Sequence, residues 1–252
     1  MKKILALVIA LTLLCTVLVS CDNAVAMVKK ANEALEQAPY NVTLKMDFES
    51  DNKQINDILS TMNTEIPVSV DGKNIAMDMS LGVMGYTVDA DIVIADMVMY
   101  CDVSLLGQNI KMKTDISEEQ YDELMSENNV EMPINPTDFG ELKVETKDGK
   151  KYIACGKISD EGLEELNGIM EKALESVDGE ASVVDISYGV TLNDGKYEKM
   201  DLMCVYSVTV SGNTCTVTFN LDAQFSYDNV QSIAAPAGAS SYTKVDINDF
   251  LG

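Results

Sequence analysis

The sequence predicts an α+β fold: a large antiparallel meander of about eleven strands with four short helices set among them. Three observations carry this prediction. Apolar and polar residues alternate over many short stretches, the period of a half-buried strand. Those stretches are separated by Gly, Asp and Asn pairs of the kind that close β-hairpins. Four other segments repeat their apolar residues at helical spacing instead.

Along the chain, residues 1–20 have the layout of an export signal, with a basic start at Lys2 and Lys3 and an apolar run from Ile4 to Val19. That run is shorter than the ~20 residues a spanning helix needs. Leu18-Val19-Ser20-Cys21 resembles the bacterial lipobox, in which cleavage precedes a cysteine that carries diacylglycerol. The expectation is therefore a signal peptide over 1–20 and one domain over 21–252, lipidated on Cys21. Acyl chains on that residue would hold it at the outer face of the cell membrane, since each buried methylene contributes ~0.8 kcal/mol.

Ala24, Val28, Ala31, Leu35 and Ala38 then mark a helix closed by Pro39, and Val42 to Phe48 alternate as a strand. Ile55, Ile58, Leu59 and Met62 suggest a short amphipathic helix. From Ile66 to Thr114 four hairpins follow. A turn at Asp71-Gly72 sets Val68 against Ile75 and Ile66 against Met77. One at Met84-Gly85 sets Leu81 against Val88, Met79 against Ala90 and Met77 against Ile92. One at Ala95-Asp96 sets Ile94 against Met97 and Ile92 against Met99. One at Gly107-Gln108 sets Leu105 against Ile110 and Val103 against Met112. All four place apolar residues on a single face, as a shared core requires.

Ser117 to Gln120 reads as a capping box opening a third helix, and Met132 to Pro136 as a stiff connector. Asp148-Gly149 turns a hairpin that sets Val144 against Ile153. Ser159 caps a fourth helix, with Leu163, Leu166, Ile169, Met170, Ala173 and Leu174 on one stripe. Asn193-Asp194-Gly195 and Gly212-Asn213 turn a closing meander, setting Ile186 against Leu202 and Cys204 against Leu221. A loop follows, and Val245 to Leu251 form a last short element.

Composition narrows the chemistry. The chain carries a net charge of −23 and has no His. It also lacks Arg and Trp, and loss of Lys2 and Lys3 would leave −25. Phosphate backbones repel such a surface, which excludes nucleic acid as a partner. Without His, the usual general base near neutral pH is missing. Ser241-Tyr242-Thr243-Lys244 matches the Ser-x-x-Lys pattern of some acyl-serine enzymes but lacks its companion motifs. The acidic pairs Asp89/Asp91 and Glu118/Glu119 show no EF-hand spacing and read as solvated surface. No catalytic residue, cofactor or metal is expected. Four cysteines besides Cys21 would suggest disulfides in an exported chain. The register separates Cys204 from Cys215 by six strand positions, however, and puts Cys101, Cys155, Cys204 and Cys215 on the apolar face.

This order of elements, and the stretch from Asp194 to Pro236 in particular, resembles the LolA-like family, which includes lipoprotein carriers and lipid-anchored members of the LppX and LprG type. The resemblance implies a half-open barrel partly covered by helices, with acyl chains held between the two. Met77, Met79, Ile92, Met97, Met99 and Met112 fall on one face of adjoining strands, and Met suits a surface that accepts varied apolar shapes. They are the candidate ligand-binding residues, with a lipid or acylated molecule as the expected ligand. Core residues packed under helices, in an envelope interaction module with no ligand, are the competing reading.

Overall fold

The computed structural model describes residues 24–83, 86–121, 143–154, 160, 164, 167, 179–210 and 213–246. Helix α1, Ala24–Gln37, is followed by strand β1, Tyr40–Ser50. A short helix α2, Lys53–Leu59, then runs into a 3-10 turn over Ser60–Met62. The first meander comprises β2 (Thr64–Asp71), β3 (Asn74–Val83), β4 (Tyr86–Ala95), β5 (Val98–Leu105) and β6 (Gln108–Asp115). The second comprises β7 (Lys143–Lys147), β8 (Lys150–Ala154), β9 (Gly179–Asn193), β10 (Lys196–Val210) and β11 (Asn213–Ser226). A two-residue strand β12, Thr243–Lys244, ends the described chain.

All twelve strands belong to one sheet, ordered β12-β6-β5-β4-β3-β2-β1-β11-β10-β9-β8-β7. The sheet is curved and unclosed, a half-open barrel with β7 and β12 at its free edges. Strands from both sides of the Met132–Pro136 connector share this sheet, joined where β1 pairs with β2 on one flank and β11 on the other. The eleven strands expected from the sequence are present, and the twelfth is the short parallel bridge of Thr243 and Lys244 to Met112 and Lys113.

The side-chain faces agree with the sequence pattern except in the β9–β10 pair, where Val184 turns outward and Tyr197 inward, and several registers do not agree. The Met84-Gly85 and Asp148-Gly149 hairpins pair as expected. Elsewhere the pairing slips by two residues: Val68 faces Met77, Ile92 faces Cys101, Val103 faces Ile110, and Cys204 faces Phe219. A slip of two leaves every side chain on its own face, so alternation cannot detect it. Turn chemistry decides instead. Asp96-Met97 and Leu106-Gly107 both take positive φ, the conformation of a type I′ turn that matches strand twist. Met97 is thereby moved out of its strand and into a turn, and its expected partnership with Ile94 passes to Met99.

The β9–β10 hairpin uses a two-residue Asp194-Gly195 turn and takes up the mismatch in two irregularities. The first lies between Tyr197 and Lys199, the second between Val205 and Tyr206. Each switches side-chain parity, so Tyr197 and Met200 both point inward, as do Val183 and Ile186. The amide of Val183 at the second irregularity donates to Asn167 Oδ1, 2.5 Å away on the helical segment that the Ser159 cap predicts. The stripe expected on that segment lies outside the described residues.

Helix caps follow the sequence. Ser117 and Gln120 form a reciprocal capping box, with Gln120 Oε1 accepting from Ser117 N (2.9 Å) and Ser117 Oγ accepting from Gln120 N (3.1 Å). Asn52 Oδ1 caps α2 by accepting from Gln54 and Ile55 amides. Contrary to the amphipathic reading, α2 buries no residue, and Ile58 is 65% exposed.

Candidate functional site

The inner face of the sheet is assembled from the inward-pointing residues of every strand from β1 to β11. In the half formed by β1 and β9–β11 this face is closed. Ala31 of α1, Leu44, Tyr197, Ile186, Leu192 and Met200 are all buried. The Tyr197 hydroxyl donates to Asn32 Oδ1 on α1 at 2.5 Å, which ties the helix to the first turn of β10. Burying a tyrosine ring is favourable only when its hydroxyl finds such a partner.

In the half formed by β2–β6 the candidate residues separate by depth. Met77, Met79, Ile92 and Met99 are buried and share one continuous core with Leu81, Ala90, Ile94, Cys101 and Val103. Met97 is half-buried and packs against that core from its turn. Met112 is half-buried and lies outside the core, beside the free end of the sheet. The structure thus brings five of the six together and leaves Met112 on the approach to them. Cys21 and the export signal lie outside the described residues, which begin at Ala24.

Beyond Met112 the inner face comes to the surface. Leu105 and Ile110, on neighbouring strands, are 37% and 49% exposed. Tyr86, which shares their face, is 56% exposed, and Leu106 in the adjoining turn is 67% exposed. Beside this rim the 3-10 turn after α2 docks on β3, where Thr61 Oγ1 approaches Gly82 O at 3.4 Å. Gly82 is required there: a Cβ at this position would sit 2.3 Å from the Thr61 carbonyl oxygen. Four of the seven exposed large apolar side chains among the described residues therefore gather at one end of the barrel. The sequence pattern assigned Tyr86, Leu105 and Ile110 to the inner face without showing that their end is uncovered. Only the lengths and stagger of the strands reveal it.

The cysteines are reduced where described. Cys101, Cys204 and Cys215 are free and buried, and Cys155 lies outside the described residues. Cys204 and Cys215 stand four strand positions apart rather than the expected six, about 13 Å at strand rise, too far to bond. Burial pushes the thiols of Cys101 and Cys204 up to about 11, the former with help from the Asp102 and Asp91 carboxylates. Burial likewise raises the Tyr206 hydroxyl, which hydrogen-bonds Cys204. These groups are held protonated and are poor nucleophiles.

The Ser-x-x-Lys pair is engaged elsewhere. Ser241 Oγ donates to Gly238 O at 2.8 Å, and Lys244 pairs with Asp115 at 2.5 Å. Ser241 lies in a 3-10 turn and Lys244 in β12, each with its own partner. No group of three or more potential metal ligands converges among the described residues.

No protein-family model matches the sequence, and no curated protein matches it. Among solved structures, the chain is similar to the YwiB protein from Bacillus subtilis, with 8% identity and a TM-score of 0.21, over 74% of this chain and 91% of that one. It is also similar to MucB, solved in complex with MucA(peri), with 10% identity and a TM-score of 0.14, over 86% and 95%. A third similar structure is acetoacetate decarboxylase from Legionella pneumophila, with 12% identity and a TM-score of 0.10, over 79% and 89%. Superpositions this partial bear on no functional question.

Proposed function

We propose that this is a lipid-anchored extracytoplasmic protein that holds an acyl-bearing ligand, which enters the half-barrel at its apolar rim. One observation carries the reading. Tyr86, Leu105, Leu106 and Ile110 are exposed together on a chain whose net charge is −23. Exposed apolar groups gathered at one place on such a surface mark a binding site rather than chance. The rim continues through Met112 to the buried Met77, Met79, Ile92 and Met99, flexible side chains that can repack around an inserted chain. The half-open barrel supports the LolA-like reading of the sequence, and the lipobox at Cys21 supports the anchor.

Mass spectrometry of the intact protein under native conditions, purified without added lipid, tests the reading. Adducts of acyl-chain mass are expected, together with saturable uptake of a fluorescent fatty acid. Replacing Leu105 and Ile110 by Asp should weaken that uptake by about tenfold or more, because each carboxylate would have to be desolvated by the incoming chain. A protein free of adducts that takes up no probe ends the proposal.

A second reading rests on a different observation. Met77, Met79, Ile92 and Met99 are only 2–6% exposed, so the deep end of the face is already filled. The rim would then dock a protein partner in the envelope instead of a lipid. Cross-linking that captures a protein through the rim, without any probe uptake, would favour it.

A further inference from the structure

Charge is divided unevenly between the two ends of the sheet. The antiparallel order puts the β2–β3, β4–β5, β7–β8 and β9–β10 turns at one end, and the β3–β4, β5–β6 and β10–β11 turns at the other. Each of the first four contains or adjoins an aspartate: Asp71, Asp96, Asp148 and Asp194. The residues that join the strands at the other end, Met84-Gly85, Leu106-Gly107 and Ser211-Gly212, carry no charge. This neutrality runs on into the strands. Met79 to Val88 and Val103 to Ile110 contain no Asp, Glu or Lys, in a chain of which 23% is charged, so the gap belongs to this end. In the connection after β1 at the same end, Lys53 pairs with Asp57 at 2.7 Å, and Asp51 Oδ1 accepts from the Thr216 amide at 2.8 Å.

The turn at Leu106 adds a second, independent observation. Leu106 takes φ 54°, and its side chain is 67% exposed. Asp96, Asp148 and Asp194 hold the corresponding place in their turns, at φ 50–52°. Aspartate tolerates this left-handed region because its short polar side chain can bond the nearby backbone, and leucine has no such relief. A leucine here therefore gains nothing from the fold: its backbone is strained and its side chain stands in water. With Leu105, Ile110 and Tyr86 it makes an apolar crest at the end of the sheet from which charge has been removed.

We infer that the β3–β4 and β5–β6 hairpin tips dock on a lipid bilayer, with Leu106 and Tyr86 inserted among its uncharged parts. The inference rests on the anchored reading proposed above and adds the surface from which a ligand is taken. Area favours a bilayer over a protein, since four side chains fall short of the ~800 Å² that each partner of a stable complex contributes. A second copy would bring another −23 to the contact. A bilayer asks less: the anchor supplies one signal and a few apolar side chains the other. Charge sets the orientation. The aspartate-bearing turns are repelled by anionic headgroups and face away, while the tips carry no ionised group whose transfer into lipid would be costly. Tyr86, with an apolar ring and a polar hydroxyl, suits the boundary itself. Insertion is thus apolar in origin, and deepest in lipid of zero net charge.

The chain contains no Trp, so Leu106→Trp introduces a sole reporter at the tip. The full lipid-anchored chain is reconstituted in phosphatidylcholine vesicles whose acyl chains are brominated. Fluorescence of Leu106→Trp should be quenched several-fold more strongly than that of Lys147→Trp, which lies beside the Asp148-Gly149 turn at the other end. Tyr86→Trp repeats the measurement at a residue without left-handed backbone. Mixing phosphatidylglycerol into the vesicles should weaken the quenching. Equal quenching at the two ends overturns the inference, as do stronger quenching in phosphatidylglycerol and failure of the protein to float with the vesicles. An indole that is shielded but unquenched, in protein that sediments as a dimer, means that a second copy covers the tips, and overturns it too. Uptake of a fluorescent fatty acid is read on the same samples. Uptake without quenching removes the docking and leaves the ligand proposal standing, whereas quenching without uptake keeps the docking and removes the ligand.

Discussion

The two halves of the inner face are built from the same alternating pattern and end in different states. Around β9–β11 the inward side chains lie beneath α1, and Ala31, Ile186 and Tyr197 are 0–1% exposed. Along β4–β6 the same alternation runs past its cover, and exposure climbs from 2% at Met99 to 49% at Ile110. The comparison teaches that an apolar face records which way a side chain points, not whether anything lies over it. A closed half can serve only stability, while an open half keeps apolar surface available for something else.

The sharpest way to break this comparison is to cut equivalent side chains in the two halves. Leu192→Ala, in the closed half, should cost about 2–5 kcal/mol of unfolding free energy, because the residue is fully enclosed and the gap cannot collapse freely. Ile110→Ala should shift it by only about 0.5 kcal/mol, as for other exposed positions. Urea unfolding of both variants measures the pair, and equal losses would show that the rim is covered in solution.

A smaller effect is expected at the support of the rim. Gly82→Ala forces a methyl group against the Thr61 carbonyl, so the 3-10 turn must retreat, at about 1–3 kcal/mol. The same denaturant titration reads this, and a neutral result would mean that Ser60–Met62 do not dock on β3.

The mildest test concerns the thiols. Cys101 and Cys204 are raised from 9.0 to about 11, so the native state keeps its protons where the unfolded chain has lost them. Their contribution to stability is present below pH 9 and lost as pH rises toward 11. Stability should fall across that window, and less steeply in Cys204→Ala. At pH 8, Cys101 and Cys204 of the native protein, read by peptide mapping, should react with a maleimide only after denaturant is added, and rapid labelling of either in the folded protein would contradict the burial.

Much of this was legible in the residues themselves. Alternation assigned the described strands their faces outside the β9–β10 irregularities, and Ser117 and Gln120 announced their capping box. Registers were less accessible, because a two-residue slip changes no face. The choice rested on whether Leu106-Gly107 or Gly107-Gln108 adopts positive φ, a difference of local backbone energy. The placement of Met97 failed for that reason. Tyr100 lies on the outer face, and nothing local foretold that Tyr242 would return to cover it edge to face at 5.5 Å.

The position of β1 has a consequence for how the molecule comes together. Asn41 to Ser50 must find Ser226 to Val217, well over half the length of the chain downstream. Until the last long strand has emerged, the first meander presents one flank of β1 as a bare, sticky border able to zip onto a neighbouring molecule. Assembly is therefore bound to be late and slow, as for other topologies dominated by distant pairings. A chain cut short before β11 would lose far more than its final strands, since the seam joining the two meanders could never close.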